Sequence, residues 1–421
     1  MKIIRQIFRP DPKVLYLEPV FGCNYRCFFC IHGSGHPIGT AQLDPALFGK
    51  LKPLIEGVEH IHFTGLGEPL LNAHLLDYLA YLRQKDKSYY INTNGSLITG
   101  AHADLLTTSR SELSISLDAG DGETYRKMRS GGDWNRVISA LKCVSQARAA
   151  RGSLHPLLYL TFHINALNLM SLQRVPELAR ELGIDAVKFS WTILPQTHRA
   201  HSVFGEQDVV TGIVQRVSAQ LRKNGIQVRN GAVFDRHRRG CWNFSEMAFI
   251  GANGSVAACC SRWLTIGNLN DNGFQDIWNG MPRRNLALAV LNGRPQGACH
   301  DCPQIRGADY ARNQEDFIKS EDLEETIRLE KSRCIGKLSS LQGLDTAFGS
   351  GVAALLNGNV QGAADIFSAL DSRFPDFFEI KNNLAVAHAY LGNLEQCREV
   401  LHALIKIPHN EKICPHAWPE P

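Results

Sequence analysis

Cys23-Asn24-Tyr25-Arg26-Cys27-Phe28-Phe29-Cys30 places three thiols within eight residues, with three residues and then two between them. A cubane iron–sulfur cluster takes one thiolate at each iron corner, so three ligands at this spacing leave one iron open. An open coordination position is what chemistry requires, whereas a purely structural site is normally closed. The competing reading is a zinc knuckle with His32 as the fourth ligand, or three unrelated thiols. The spacing by itself leaves these alternatives open, and the surrounding chain has to weigh them.

The chain has 421 residues, enough for two or three domains around a sizeable core. Its formal net charge of +4 is small for this length and gives no case for a nucleic-acid binder. The start, MKIIRQIFRPDPK, has no long apolar run and no small-residue cleavage site, so no signal peptide is expected. No stretch approaches a transmembrane length. The 12 cysteines fall short of the density of a disulfide scaffold, and C-x2-C spacing reads as metal or cluster binding. A cytoplasmic location is expected, with no membrane partner.

Outward from the cysteines, the first half alternates strands and helices. Val14 to Leu17, His60 to Phe63, Tyr89 to Asn92, Leu113 to Leu117, Leu157 to Phe162 and Ala186 to Phe189 read as strands. Residues 44–57, 73–84, 136–149 and 175–182 read as helices. Six strands alternating with helices predict a parallel sheet, and six units predict a partial (β/α)6 barrel rather than a closed eight-fold one. In such folds the working loops follow the C-terminal ends of the strands, and the polar motifs fall there.

The second strand runs into Thr64-Gly65-Leu66-Gly67-Glu68-Pro69. Gly65 and Gly67 let a ligand approach the backbone, and Glu68 offers an acceptor for an ammonium group. The plain alternative is a strand-to-helix turn. The third strand ends in Asn92-Thr93-Asn94-Gly95, and the fourth carries Ser114 and Ser116 before Asp118. Buried hydroxyls on a strand need partners, although Ser can simply fill the alternation and Asp118 can cap a helix near Glu123. Arg129 pairs with a carboxylate in the site or lies on a solvated helix face. His163 and Asn165, at the end of the fifth strand, face a ligand or sit hydrogen-bonded in the core.

A second cysteine set follows. Residues 206–240 read as a linker with one helix, Val209 to Lys223, and the basic run Asp235 to Arg239 reads as solvated surface or an anion contact. After Cys241, two strands flank the turn Asn253-Gly254 and deliver Cys259 and Cys260. Helices at Phe274 to Asn279 and Arg283 to Leu291 lead to Cys299-His300-Asp301-Cys302. Cys241, Cys259, Cys299 and Cys302 can close a four-thiolate site for either a cluster or zinc. Cys260 is left over beside it, as a structural thiol or a hydrogen-atom donor.

Residues 303–340 read as charged and helical, clearest at Glu321 to Lys331. Beyond 342, Leu355 to Asn359 recurs as Tyr390 to Asn393, and Gly358 and Gly392 lie 34 residues apart, the tetratricopeptide period. Ala363 to Phe367 and Phe374-Pro375 add a second helix and its stop. Two such units rarely stand alone, so they dock on the enzyme or on a partner: a peptide, a carrier protein or a second subunit. Residues 411–421 read as a disordered tail.

The C-x3-C-x2-C stretch resembles the signature of the radical S-adenosylmethionine (radical SAM) enzymes. The resemblance extends over residues 10–200 through Gly65 to Pro69, Asn92, Asn94, Ser114, Ser116, Asp118, Arg129 and His163. It implies that Cys23, Cys27 and Cys30 bind a [4Fe–4S] cluster whose open iron chelates SAM. It further implies that Glu68 holds the SAM amino group and that Ser116 and Asp118 contact its ribose or carboxylate. The family's reaction is reductive cleavage of SAM to a 5′-deoxyadenosyl radical that takes a substrate hydrogen. One departure is Leu66, which leaves only the Gly65/Gly67 pair where the family has adjacent glycines. The later cysteines, with Gly254, Gly267-Asn268-Leu269 and Ile277-Trp278-Asn279, are similar to the SPASM or shortened twitch extension. No further cysteine follows Cys302 until Cys334, which implies one auxiliary [4Fe–4S] cluster.

The expected architecture is therefore α/β: a radical SAM partial barrel (1–205), a linker region (206–240), a small α+β cluster domain (241–335) and an all-α helical-repeat tail (340–410). The expected function is oxidation or epimerisation of a small polar metabolite of sugar or aminocyclitol type, with a flavodoxin or ferredoxin as electron donor. Only 22 residues precede Cys23, which argues against a peptide-recognition domain there. A peptide-modifying maturase is the alternative, and a zinc-stabilised repeat scaffold is the non-catalytic one.

Overall fold

A computed structural model describes residues 11–33, 39–191, 194, 196–203, 206–230, 241, 243–260, 264–291, 299, 302, 347, 350–351, 354–355, 358–373 and 378–406. The basic run 235–239, the helix expected at 321–331, Phe374-Pro375 and the tail 411–421 lie outside these. The chain divides into two units, residues 1–283 with 300–319, and residues 284–299 with 320–421.

The first unit is built on a ten-stranded sheet. Its strands are β1 (Val14–Leu17), β2 (His60–Phe63), β3 (Ser88–Thr93), β4 (Ser111–Ser116), β5 (Leu157–Ile164), β6 (Ala186–Trp191), β7 (Gln227–Asn230), β8 (Met247–Ile250), β9 (Ser255–Ala257) and β10 (Thr265–Asn268). The spatial order is β10-β9-β8-β1-β2-β3-β4-β5-β6-β7. All pairs from β8 through β7 are parallel, and β8-β9-β10 is antiparallel.

The helices between the strands are α1 (Pro45–Gly57), α2 (Leu75–Gln84), α3 (Gly100–Thr107), α4 (Gly122–Met128), α5 (Trp134–Ala150), α6 (Val175–Glu181) and α7 (Gln207–Lys223). Aspartates start three of them. Asp44, Asp121 and Asp133 each accept from a first-turn N–H of α1, α4 and α5, at 2.7, 2.8 and 2.9 Å. The residue that caps α4 is thus Asp121, not Asp118.

β1 through β7 are laid side by side in chain order. Right-handed crossovers then put every helix on one face of the sheet. That face is apolar, with Leu15, Ile61, Leu113, Leu160 and Val187 fully buried. The other face carries Tyr16, His62, Tyr90, Ser114, Tyr159, Thr161 and Lys188, which register pairing aligns across the strands. A sheet covered on one side only, with a polar opposite face, is the partial-barrel arrangement.

Two features depart from the sequence expectation. Residues 206–230 are not a linker: α7 and β7 add a seventh βα unit, with β7 paired to β6 from Ala186↔Gln227 to Phe189↔Asn230. The hairpin β8-β9 does not form a sheet of its own either. β8 lies parallel to β1, from Val14↔Met247 to Leu17↔Ile250.

Further short helices are α8 (Asn243–Glu246), α9 (Phe274–Trp278) and α10 (Met281–Leu291). In the second unit, α11 (Val360–Arg373), α12 (Phe378–Tyr390) and α13 (Leu394–Lys406) follow one another, with Ala363, Phe367, Leu384 and Ala387 buried. Gly358 and Gly392 both turn at positive φ, +79° and +76°, ahead of α11 and α13. Among the described residues no helix is long and apolar enough to cross a membrane.

Candidate active site

The cysteine loop leaves β1 at its C-terminal end and packs against the loops after β2, β3 and β4. Cys27 is buried, and Cys23 and Cys30 are half-buried; none is in a disulfide. The loop is tightened by Cys30 N–H to Cys27 O (3.0 Å) and Gly33 N–H to Cys30 O (2.8 Å). Two donors reach the sulfurs: Tyr25 N–H at 3.4 Å from Cys23 Sγ, and Arg129 Nη1 at 3.6 Å from Cys27 Sγ. Burial pushes the Cys27 thiol up to about 11, with Arg129 opposing it. Binding a cluster therefore expels a proton, and the guanidinium and amide then face the thiolates they stabilise. The donor set fits an iron–sulfur cluster.

His32 does not serve as a fourth ligand through Nε2. It is buried, and Nε2 lies 3.0 Å from Leu66 O, the geometry of an N–H donor to that carbonyl. The bond ties the cysteine loop to Gly65–Pro69. In this second loop the glycines are required by the chain itself rather than by a ligand. A Cβ on Gly67 would stand 2.0 Å from Val20 O and 2.6 Å from Gly22 O, and one on Gly65 2.4 Å from Glu18 Cγ. Glu18, fully buried, accepts Leu66 N–H at 2.8 Å.

Glu68 is buried and holds three donors: Leu70 N–H (3.1 Å), Thr93 Oγ1–H (2.5 Å) and Asn94 N–H (2.8 Å). The first caps the short 3-10 turn that Pro69 begins. Burial pushes its carboxyl upward against these bonds. A carboxylate has about four acceptor positions, so one remains for a cationic donor. Asn94 Nδ2 continues to Asn24 Oδ1 (2.8 Å), and Asn24 Nδ2 to Ser96 Oγ (2.9 Å), linking Glu68 to the residue beside Cys23.

Asp118, also fully buried, adopts φ +56°, a left-handed conformation that Asp tolerates. Its carboxylate pairs with Arg129 Nη2 and accepts His163 N–H (2.6 Å), with His163 Nδ1 3.0 Å away. Burial pushes Asp118 up, but Arg129 and His163 outweigh it and hold the group at about 2. A carboxylate so engaged is a positioning group, which alters its expected direct contact with SAM. Arg129 is buried rather than solvated, and its guanidinium also lies 5.4 Å over the Phe29 ring. Phe29 stacks on His163 at 5.7 Å, and Phe28 meets His198 edge-on at 5.3 Å. Tyr25 is core, its hydroxyl 3.3 Å from that of Tyr125.

Ser116 donates to Asn92 Oδ1 at 3.2 Å, at the rim of the same site. Ser114 is drawn instead to Thr161 on β5 at 2.9 Å. Asn165 is wholly buried, holding Leu167 N–H and donating to His163 O.

Among the described residues after Cys241, the motif positions pack against one another. Gly254 turns at φ +82°, and a Cβ there would meet Asn268 Oδ1 at 2.9 Å. Leu269 N–H returns to Gly254 O at 2.8 Å. Gly267 is pressed on Ile277, 2.7 Å from where a Cβ would stand. Trp278 is fully buried, with the Arg283 guanidinium 4.3 Å over its ring. Cys241, Cys259 and Cys302 belong to the first unit and Cys299 to the second. Cys260 is exposed, and a hydrogen bond from Cys259 pulls its thiol down to about 7.

Residues 17–160 match the family model of the radical SAM superfamily, and residues 241–303 that of SPASM, an iron–sulfur cluster-binding domain. The chain thus carries a radical SAM domain and a SPASM domain, the content of an enzyme with an auxiliary iron–sulfur cluster. The first implies a [4Fe–4S] cluster and SAM, the second auxiliary iron–sulfur clusters, and the zinc-scaffold reading falls.

Among curated proteins, the chain is 29% identical over 165 residues to the probable GTP 3′,8-cyclase of Methanocaldococcus jannaschii. That match covers 38% of this chain and 53%, about half, of the cyclase. It is 23% identical over 343 residues to the tungsten-containing aldehyde ferredoxin oxidoreductase cofactor-modifying protein of Pyrococcus furiosus, covering 74% of this chain and 91% of that protein. Among solved structures, Streptococcus suis SuiB bound to precursor peptide SuiA shares the fold, with a TM-score of 0.53, 16% identity and 68% of each chain covered.

Proposed function

We propose that this protein uses SAM to start the oxidation or epimerisation of a small polar metabolite. The observation that carries the reading is the coupling of the cysteine loop to Glu68 through Asn24 and Asn94. Cys23, Cys27 and Cys30 would hold a [4Fe–4S] cluster, which when bound would supply the electron for SAM cleavage. Glu68 keeps one acceptor position that would take the SAM ammonium. Gly65, Gly67 and Pro69 shape that loop, while Asn92, Asn94 and Ser116 supply polar contacts at the rim. Arg129, Asp118 and His163 position the cluster loop, and Ser114 braces β4 against β5. Cys241, Cys259, Cys299 and Cys302, on sequence spacing, ligate the auxiliary cluster. Cys260, next to Cys259 in the sequence, would return a hydrogen atom in an epimerisation.

Names given to two relatives favour a small molecule, since one is called a GTP cyclase and the other a cofactor-modifying protein. The fold shared with SuiB, solved with its precursor peptide, keeps a peptide-modifying reading as the second choice. The helices from 360 onward fit tetratricopeptide-like units that engage a peptide, carrier protein or second subunit. A flavodoxin or ferredoxin is the electron donor this chemistry calls for.

The test is anaerobic reconstitution, counting iron, sulfide and zinc, followed by SAM and reductant. About eight irons per chain and 5′-deoxyadenosine formation are expected. A fully iron-loaded protein that forms no 5′-deoxyadenosine would overturn the reading.

A further inference from the structure

We propose that Lys188 and Arg229 form an anion-binding subsite on the open face of the sheet, and that the substrate carries a carboxylate or phosphate there. The inference rests on the metabolite reading above and specifies its charge.

Lys188 on β6 and Arg229 on β7 are register partners, so two cations stand side by side on adjacent strands. Both are exposed, and on the face that no helix covers. Like charges directly opposite are unfavourable unless something answers them. Neither residue forms an ion pair among the described residues. Glu112 supplies an acid on this face and, after burial, pushes the Tyr159 hydroxyl up, with Arg229 opposing it. The Arg229 guanidinium lies over the Tyr159 ring, 4.7 Å from its centroid. A guanidinium held against a ring still offers N–H donors to a two-oxygen acceptor.

The same face carries aromatic rings on β1, β2 and β3: Tyr16 stacks on His62 at 4.4 Å, and His62 lies 4.9 Å from Tyr90. A cationic pair on one side and flat rings on the other suit a compact anion with a planar or sugar-like body.

The experiment is calorimetric titration of the reconstituted full chain with inorganic phosphate and, separately, acetate, with glycerol as neutral control. One or both anions should bind the wild type. The double variant Lys188→Gln/Arg229→Gln should lose about tenfold or more in affinity, whereas Lys188→Arg should retain it. Preference for phosphate or acetate assigns the substrate's group. Binding of neither anion, or equal binding by a double variant that melts like wild type, would overturn the proposal. SAM cleavage by the wild type is read separately. Its absence would remove the radical reading and leave the anion result standing.

Discussion

Arg129 Nη1 lies 3.6 Å from Cys27 Sγ although 102 residues separate them, and the same guanidinium pairs with Asp118 through Nη2. One buried cation thus joins the cysteine loop after β1 to the loop after β4. Replacing Arg129 by Met leaves Asp118 buried without its counter-ion. Breaking a buried pair in this way costs about 3–5 kcal/mol. Urea unfolding of the variant should show that loss, and its iron content after reconstitution should fall.

Acid should expose the same pair. The folded Asp118 titrates at about 2, below the ordinary 3.8. Its contribution is therefore complete above about pH 4 and lost as pH falls toward 2, roughly 2 kcal/mol in all. Urea midpoints of the cluster-free chain across that range should decline in the wild type, and much less in Arg129→Met.

Gly67→Ala should destabilise more than Gly65→Ala. The new methyl at 67 meets backbone oxygens at 2.0 and 2.6 Å, whereas at 65 it meets the Glu18 side chain. Backbone cannot swing aside as a side chain can, so a loss of about 3 kcal/mol is expected at 67. Thermal melting of the two variants decides the order.

The two readings of His32 separate cleanly. His32→Gln keeps a donor for Leu66 O and should leave iron loading unchanged. Cys30→Ala should lower bound iron by about four atoms per chain. Equal iron loss in both variants would restore His32 as a ligand.

Glu68→Gln keeps the side chain's size, removes the charge and sets an amide NH2 where a carboxylate oxygen now accepts. SAM affinity of the reconstituted protein should fall about tenfold or more, because the carboxylate–ammonium ion pair becomes a bond to a neutral acceptor. Equilibrium binding of SAM measures it. Unchanged affinity would assign Glu68 a purely structural role.

The strands β1 to β6 were legible as short apolar runs, as in Val14 to Leu17, or as alternations, as in His60 to Phe63. β7 was not, since Gln227-Val228-Arg229-Asn230 has one apolar residue and acquires its identity from pairing with β6. α3 and α4 have only eight and seven residues, too short for a helical period to stand out, and α3 went unread. The cysteines stood out by their spacing, which by itself left cluster and zinc open. The work of Asp118, Arg129 and Gly67 was not, because it depends on which loops meet. Gly67 looked like an opening for a ligand, and the space beside it is filled by Val20 and Gly22. Glu18, Asn24 and Thr93 went unnoticed for the same reason: each matters through a partner 25 to 70 residues away.

The parallel pairing of β8 with β1 has a consequence for how the chain can be cut. Removing everything after residue 240 would strip one side of β1 of its hydrogen bonds. Leu15 and Leu17 would then sit on a raw sheet edge, next to the cysteine loop, inviting other chains to add on. The segment that carries the later cysteines is therefore no detachable accessory. It is the selvedge of the catalytic sheet, and a barrel expressed without it should unravel or aggregate before its chemistry can be asked about.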